Sequence, residues 1–140
     1  MNKKLIPLIF AAVLFSSCFH DGVEQPACAT HNCTKEFVTL YFKFVDKNGN
    51  PIAVDGYKAV NLRTNKTLHD NGLIVPGVYP PSYSIANDAD LVNLSDNGDD
   101  VAISGTDPVS NQTKTAVVKV SGGCNCHVAK VSGPDQLQFD

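Results

Sequence analysis

The first eighteen residues constrain this chain more than any other stretch, because they set the chemical compartment in which the remainder folds. Asn2, Lys3 and Lys4 form a short basic region, and Leu5 to Phe15 is apolar throughout apart from Pro7. Ser16 and Ser17 then lead into Cys18. A basic start, an apolar run and small residues are the parts of a secretory signal. The run is shorter than the roughly 20 residues needed to span a bilayer, so a cleaved leader over 1–17 is the reading adopted.

Leu14-Phe15-Ser16-Ser17-Cys18 resembles the end of a bacterial lipoprotein signal, in which an aliphatic residue and small residues precede a cysteine that is acylated. Phe15 stands where leucine is usual, and Leu14 is one position early. The resemblance implies that Cys18 carries fatty-acyl groups such as palmitate, which give stable membrane attachment when two or more chains are present. It also gives the odd fifth cysteine a use and leaves four to pair. Phe19 follows the cysteine in place of an inner-membrane retention aspartate, which favours the outer membrane.

Without Lys3 and Lys4 the mature chain has nine basic against fourteen acidic residues. Phosphate recognition needs clustered Lys and Arg, so nucleic acid is not an expected partner. Outer-membrane lipid, reached through the acylated cysteine, is one; an envelope glycan or envelope protein is the other. Tryptophan is absent, which argues against a broad aromatic platform for sugars.

Residues 18–36 lack periodicity and read as a tether. Residues 37–140 read as one domain. Val38, Leu40, Phe42 and Phe44 alternate with Thr39, Tyr41 and Lys43, the period of a half-buried strand. Further strands are expected at Tyr57–Leu62, Tyr83–Asn87, Val101–Ser104, Lys114–Val120 and Cys126–Val131. Asn48-Gly49, Asn71-Gly72 and Asn97-Gly98 carry the hairpin-turn signal. The best helical candidate, Asp88–Ser95, is a turn or two at most. Short strands with Gly and Pro punctuation predict an all-β fold, a single immunoglobulin-like sandwich of about seven strands.

Phe44-Val45-Asp46-Lys47-Asn48-Gly49-Asn50-Pro51-Ile52 is similar to the opening strand and turn of carboxypeptidase-regulatory-like domains, and Pro76-Gly77-Val78-Tyr79 resembles their later Pro-Gly-x-Tyr. Gly122 to Pro134, with its Cys-Asn-Cys-His core, resembles the end of small Gram-negative lipoproteins. The Thr-Asp-x-x-Gly usual in the first family is replaced by Leu68-His69-Asp70-Asn71-Gly72. The resemblance implies a prealbumin-like sandwich and a non-catalytic spacer, adhesive or assembly role.

Four cysteines remain to be placed: Cys28, Cys33, Cys124 and Cys126. If Cys124 and Cys126 lie in a strand they share a face, and a bond between them strains the geometry. Crossed pairs to Cys28 and Cys33 are therefore expected in an oxidising compartment, with both crossed connectivities open. The alternative takes Cys28, His31, Cys33, Cys124, Cys126 and His127 as zinc ligands, although the single residue between Cys124 and Cys126 is shorter than the usual ligand spacing. A redox-active Cys-x-Cys lacks the surrounding βαβ pattern.

Asp88, Asp90, Asp96, Asp99 and Asp100 form an acidic run that could attract calcium but lacks the spacing of a calcium loop. His69 beside Asp70 reads as a solvated pair. No hydrolase, metalloprotease or phosphate-loop motif is present, so no catalytic residue, enzyme activity or cofactor is assigned. The loops around Asn71, Asp96–Asp100 and Asp107–Gln112 are the expected contact surface, since loops on a rigid scaffold carry recognition.

Overall fold

The computed structural model describes Cys28, residues 32–70 and residues 81–140. The leader and Cys18, His20, His31, Asn71 and the Pro76-Gly77-Val78-Tyr79 motif lie outside these.

Eight strands form two sheets, and the all-β sandwich expected from the sequence is present. The strands are β1 Thr39–Val45, β2 Asp55–Asn61, β3 Lys66–His69, β4 Tyr83–Asn87, β5 Asp99–Thr106, β6 Thr113–Ser121, β7 Ala129–Ser132 and β8 Gln136–Gln138. One sheet has the order β4-β1-β8 and the other β3-β2-β5-β6-β7. A 3-10 helix, Asp88–Asn93, follows β4. It begins with a capping box: Asn87 accepts from the Ala89 backbone, and the Asp90 side chain accepts from the Asn87 N–H.

Alternation places one side chain in two between the sheets. Phe42 and Phe44 of β1 are fully buried while Tyr41 and Lys43 face outward. Val101 and Ile103 of β5 and Val118 and Val120 of β6 line the opposite wall. Phe44 is the hub, with edge-on contacts to Phe42 at 5.4 Å and to Tyr83 at 5.3 Å between ring centroids. Such pairs contribute about 0.5–1.5 kcal/mol beyond area burial. Two phenols are accommodated because each hydroxyl has a partner: Tyr57 donates to the Ser84 carbonyl at 2.7 Å, and the Val54 N–H donates to the Tyr83 oxygen at 2.7 Å. Burial pushes the Tyr57 hydroxyl well above the ordinary phenol range, and Tyr83 adds to the effect.

The structure differs from the expectation in four places. The Asn48-Gly49 turn does not join a hairpin, because β1 and β2 belong to different sheets; a single Val45–Pro51 bridge closes the turn before the chain crosses over. Asn97-Gly98 links the 3-10 helix to β5 and not strand to strand. Residues 126–128 are loop, and β7 begins at Ala129. Two strands were not foreseen: β3, and β8, which pairs parallel to β1 and carries the buried Phe139 just after it.

The register gives the sandwich two chemically distinct ends. Asn61 pairs with Val101, Asp99 with Val120 and Ser121 with Ala129, so loops 62–65, 94–98 and 122–128 share one end. The Asp46–Asn50 turn and loop 107–112 lie at the other, beyond the pairing of Thr106 with Thr113. At roughly 3.3 Å per residue, the nine-residue β6 holds the two ends roughly 25 Å apart.

Candidate functional site

The first end is built around the cysteines. Cys28 bonds Cys124, and Cys33 bonds Cys126, with Cα–Cα separations of 5.2 and 5.3 Å. One of the two crossed connectivities is thereby selected. The cysteines 124 and 126 sit in the β6–β7 loop and not on a strand face, so each is free to reach a different tether residue. With Cys124 bonded to Cys28 and Cys126 to Cys33, none of the four sulfurs is available as a thiolate, and among the described residues no group of three or more His, Cys, Asp or Glu side chains is arranged to hold a metal.

The loop that presents these cysteines is shaped by Asp96. Its carboxylate accepts from the Cys124 backbone at 2.7 Å, and its carbonyl accepts from the Asn125 side chain at 3.0 Å. Gly123 has φ +62, a conformation that favours glycine, and a Cβ there would collide with the Asp96 carboxylate.

His127, which follows Cys126, and Thr34, which follows Cys33, meet across the second disulfide. Thr34 Oγ1 lies 2.8 Å from His127 Nε2. On the other side of the ring, Nδ1 lies 2.7 Å from Asp88 Oδ2. Asp88 also accepts from the Val38 N–H at 2.8 Å and the Val128 N–H at 2.9 Å. Burial raises its carboxyl pKa, but the Val38, His127 and Val128 donors outweigh that and hold it below the usual carboxylate range. A carboxylate only accepts, so His127 Nδ1 carries the proton. In the neutral ring Nε2 is then the acceptor and Thr34 the donor.

The other members of the acidic run do not gather at one point among the described residues. Asp90 binds His69 at 3.0 Å, so His69 is paired across the sandwich and not with Asp70. Asp99 is buried and bound by Arg63, Asn61 and Ser95. Asp100 lies 3.5 Å from Lys119. Five similar carboxylates thus have five different partners.

The second end carries an open groove of about 370 Å³, lined in part by Asp46, Asn48, Ile52, Asp107, Val109 and Phe139. Asp46 folds its own turn by accepting from the Asn48 and Asn50 N–H groups, each at 2.8 Å. Asp107 does the same for Val109 and Ser110. These hydrogen bonds lower both carboxyl pKa values. The groove thus carries the Asp46, Asp107 and Asp140 carboxylates together with Lys47, while Val109 projects into solvent at 90 % exposure.

The predicted contact loops are sorted by these positions. Asp96–Asp100 belongs to the disulfide end, and Asp107–Gln112 to the groove end. Thr34 was not singled out from sequence, and Asp88 was considered only as part of the acidic run. No local signal links residues 54 apart in the chain.

The fold and these ends define a disulfide-stapled, two-sheet β-sandwich. Compared with protein-family models, curated proteins and solved structures, the chain matches none of them. Among the described residues no helix is long and apolar enough to cross a membrane.

Proposed function

We propose that this chain is a lipid-anchored, non-catalytic envelope protein whose sandwich presents a recognition end away from the membrane. The carrying observation is the separation of the disulfide end from the groove. Acylated Cys18 precedes Cys28 by ten residues, and Cys28 and Cys33 bind the chain to loop 122–128. A short tether stapled to one end of the sandwich brings that end toward the lipid and turns the Asp46 and Asp107 turns outward. Loops on a rigid scaffold are the usual carriers of recognition, and this end combines turn-locked carboxylates with an exposed apolar residue.

The resemblance at Phe44–Ile52 to carboxypeptidase-regulatory-like domains supports a spacer or assembly role on the same reading. The partner is an envelope glycan or envelope protein, and the outer membrane is the proposed location.

The test has two arms. Metabolic palmitate labelling is expected for the parent and absent for Cys18→Ala; labelling of neither removes the anchor. The exported chain is then used to capture envelope glycan and envelope protein. Capture is expected to fall with Val109→Asp and to survive Asn97→Ala at the opposite end. Absence of capture, or the reverse dependence, overturns the assignment.

A further inference from the structure

The Thr34–His127–Asp88 chain has no role in the display of distant loops, and its geometry is that of a reactive hydroxyl. A weak nucleophile is activated when a base lies within hydrogen-bond reach and a third group orients that base. Both conditions are met. Thr34 Oγ1 is 2.8 Å from His127 Nε2, and His127 Nδ1 is 2.7 Å from Asp88. Asp88 is itself held by the Val38 and Val128 N–H groups, which fix its orientation from two strands' flanks. The side chain of Asp88 is 11 % exposed and that of His127 23 %, whereas Thr34 is exposed to solvent. The reacting oxygen is accessible while its supports are sheltered. The Cys33–Cys126 bond, one residue before both Thr34 and His127, brings them together across 93 residues of chain.

We infer that Thr34 is an acyl-acceptor site, a modification site that takes a short acyl group from an activated ester. Thr34 Oγ attacks the ester carbonyl carbon and its proton passes to His127 Nε2. The bond from that carbon to the leaving oxygen breaks, and His127 returns the proton to the departing alkoxide. The products are an O-acyl Thr34 and a free alcohol, with no change of oxidation state. Asp88 is a positioning residue: it holds the proton on Nδ1 and so leaves the lone pair on Nε2. Asn32, Lys35 and Glu36, next to Thr34 along the chain, are exposed and polar, which suits an acetyl-sized group better than a long chain, with the exposed Phe37 the one large apolar side chain in the same stretch.

The exported full chain is incubated with p-nitrophenyl acetate and, in parallel, with p-nitrophenyl decanoate, then digested and mapped. The expected product is one acetyl group on the Thr34 peptide, released by hydroxylamine as an ester is. Thr34→Ser retains it and Thr34→Val, an isosteric change at an exposed position, removes it. His127→Ala slows acylation on the order of 100-fold or more, the scale of general-base assistance, and added imidazole restores part of the rate. Asp88→Asn lowers the rate while nitrogen-15 shifts of the His127 ring report loss of the Nδ1–H tautomer. Disulfide mapping of each variant separates lost chemistry from lost folding. Acyl groups on lysines alone, or Thr34 labelling that His127→Ala leaves unchanged, would overturn the site. Faster transfer of the decanoyl group would overturn its size preference.

Discussion

Arg63 grips the buried carboxylate of Asp99 through two parallel hydrogen bonds, 2.7 Å from Nε and 2.8 Å from the guanidinium NH2 group. Asn61 Nδ2 adds a third at 2.7 Å and Ser95 Oγ a fourth at 2.8 Å. This network ties β2, the 94–98 loop and β5 together at the disulfide end. The guanidinium holds the Asp99 carboxyl well below the usual carboxylate range, against the opposing effect of burial. Its folded pKa is thus depressed, so the stabilisation is complete above the unfolded value of about 3.9 and is lost as pH falls below it. Asp99→Asn is expected to cost about 2 kcal/mol at neutral pH, since the hydrogen bonds it weakens involve a charged group. The difference from the parent narrows at about pH 3, where Asp99 of the unfolded parent protonates while the folded carboxylate is still ionised. Urea unfolding of both proteins at the two pH values checks this, and an equal difference at both counts against it.

The cysteine pairing makes a direct prediction. Reduction of the exported chain under denaturing conditions adds about four mass units, two for each disulfide opened. Peptide mapping of the oxidised chain links Cys28 to Cys124 and Cys33 to Cys126, and a Cys28–Cys126 link would refute the pairing. The bonds close stretches of 96 and 93 residues. In the chain-entropy account one bond closing a loop of that size contributes about 4.7 kcal/mol. With Cys33–Cys126 intact, however, the loop closed by Cys28–Cys124 runs only through residues 28–33 and 124–126, so Cys28→Ser with Cys124→Ser is expected to lower unfolding stability by about 2.5 kcal/mol.

Gly123 and Gly49 separate two costs of replacing glycine. Both have positive φ, +62 and +82, but a Cβ at 49 meets nothing within 4 Å whereas one at 123 strikes Asp96. Gly49→Ala is expected to cost about 1 kcal/mol from the left-handed backbone alone. Gly123→Ala adds the displacement of Asp96 from the Cys124 N–H and is expected to cost clearly more, with slower formation of the Cys28–Cys124 bond. Equal losses in denaturant titrations of the two variants would show that Asp96 moves aside freely.

Two substitutions in neighbouring core positions are expected to act in opposite directions. Tyr57→Phe removes the hydroxyl that donates to the Ser84 carbonyl and is expected to cost about 1 kcal/mol. Ser84 is buried, yet its hydroxyl has no hydrogen-bond partner among the described residues. Ser84→Ala therefore removes an uncompensated polar group and is expected to stabilise by up to about 1 kcal/mol. Thermal unfolding of the pair decides the point. Tyr57 also has an alkaline signature. Its folded pKa is raised by burial, so its contribution is present below the unfolded value of about 10 and is lost as pH rises above it. Tyr57→Phe lacks that component of the alkaline loss.

The fold was legible wherever the physical cause is local. Val38 to Phe44 show their strand in alternation, and that alternation is what buries Phe42 and Phe44. Asp46 to Pro51 show a turn, and a turn is there. The destination of that turn was not legible: whether the chain folds back on itself or crosses to a second sheet depends on which surface Tyr57 and Ala59 find to cover. Nor was β8, whose Gln136 and Gln138 have no strand-like composition and are held by parallel pairing with β1, more than ninety residues earlier.

The candidate site divides in the same way. His127 and the four cysteines stand out in the sequence, and crossed pairing follows from the proximity of Cys124 to Cys126. Thr34 and Asp88 do not stand out, because nothing local distinguishes a threonine in a tether or one aspartate among five. The sequence by itself determined the strand period and the turn chemistry, since each depends on residues within a few positions. The tertiary structure decided the crossed connectivity, the five separate partners of the acidic run and the meeting of Thr34 with His127. Those depend on how two twisted sheets, packed on the Phe44 cluster, place their ends in space, and residues distant in the chain acquire neighbours only through that packing.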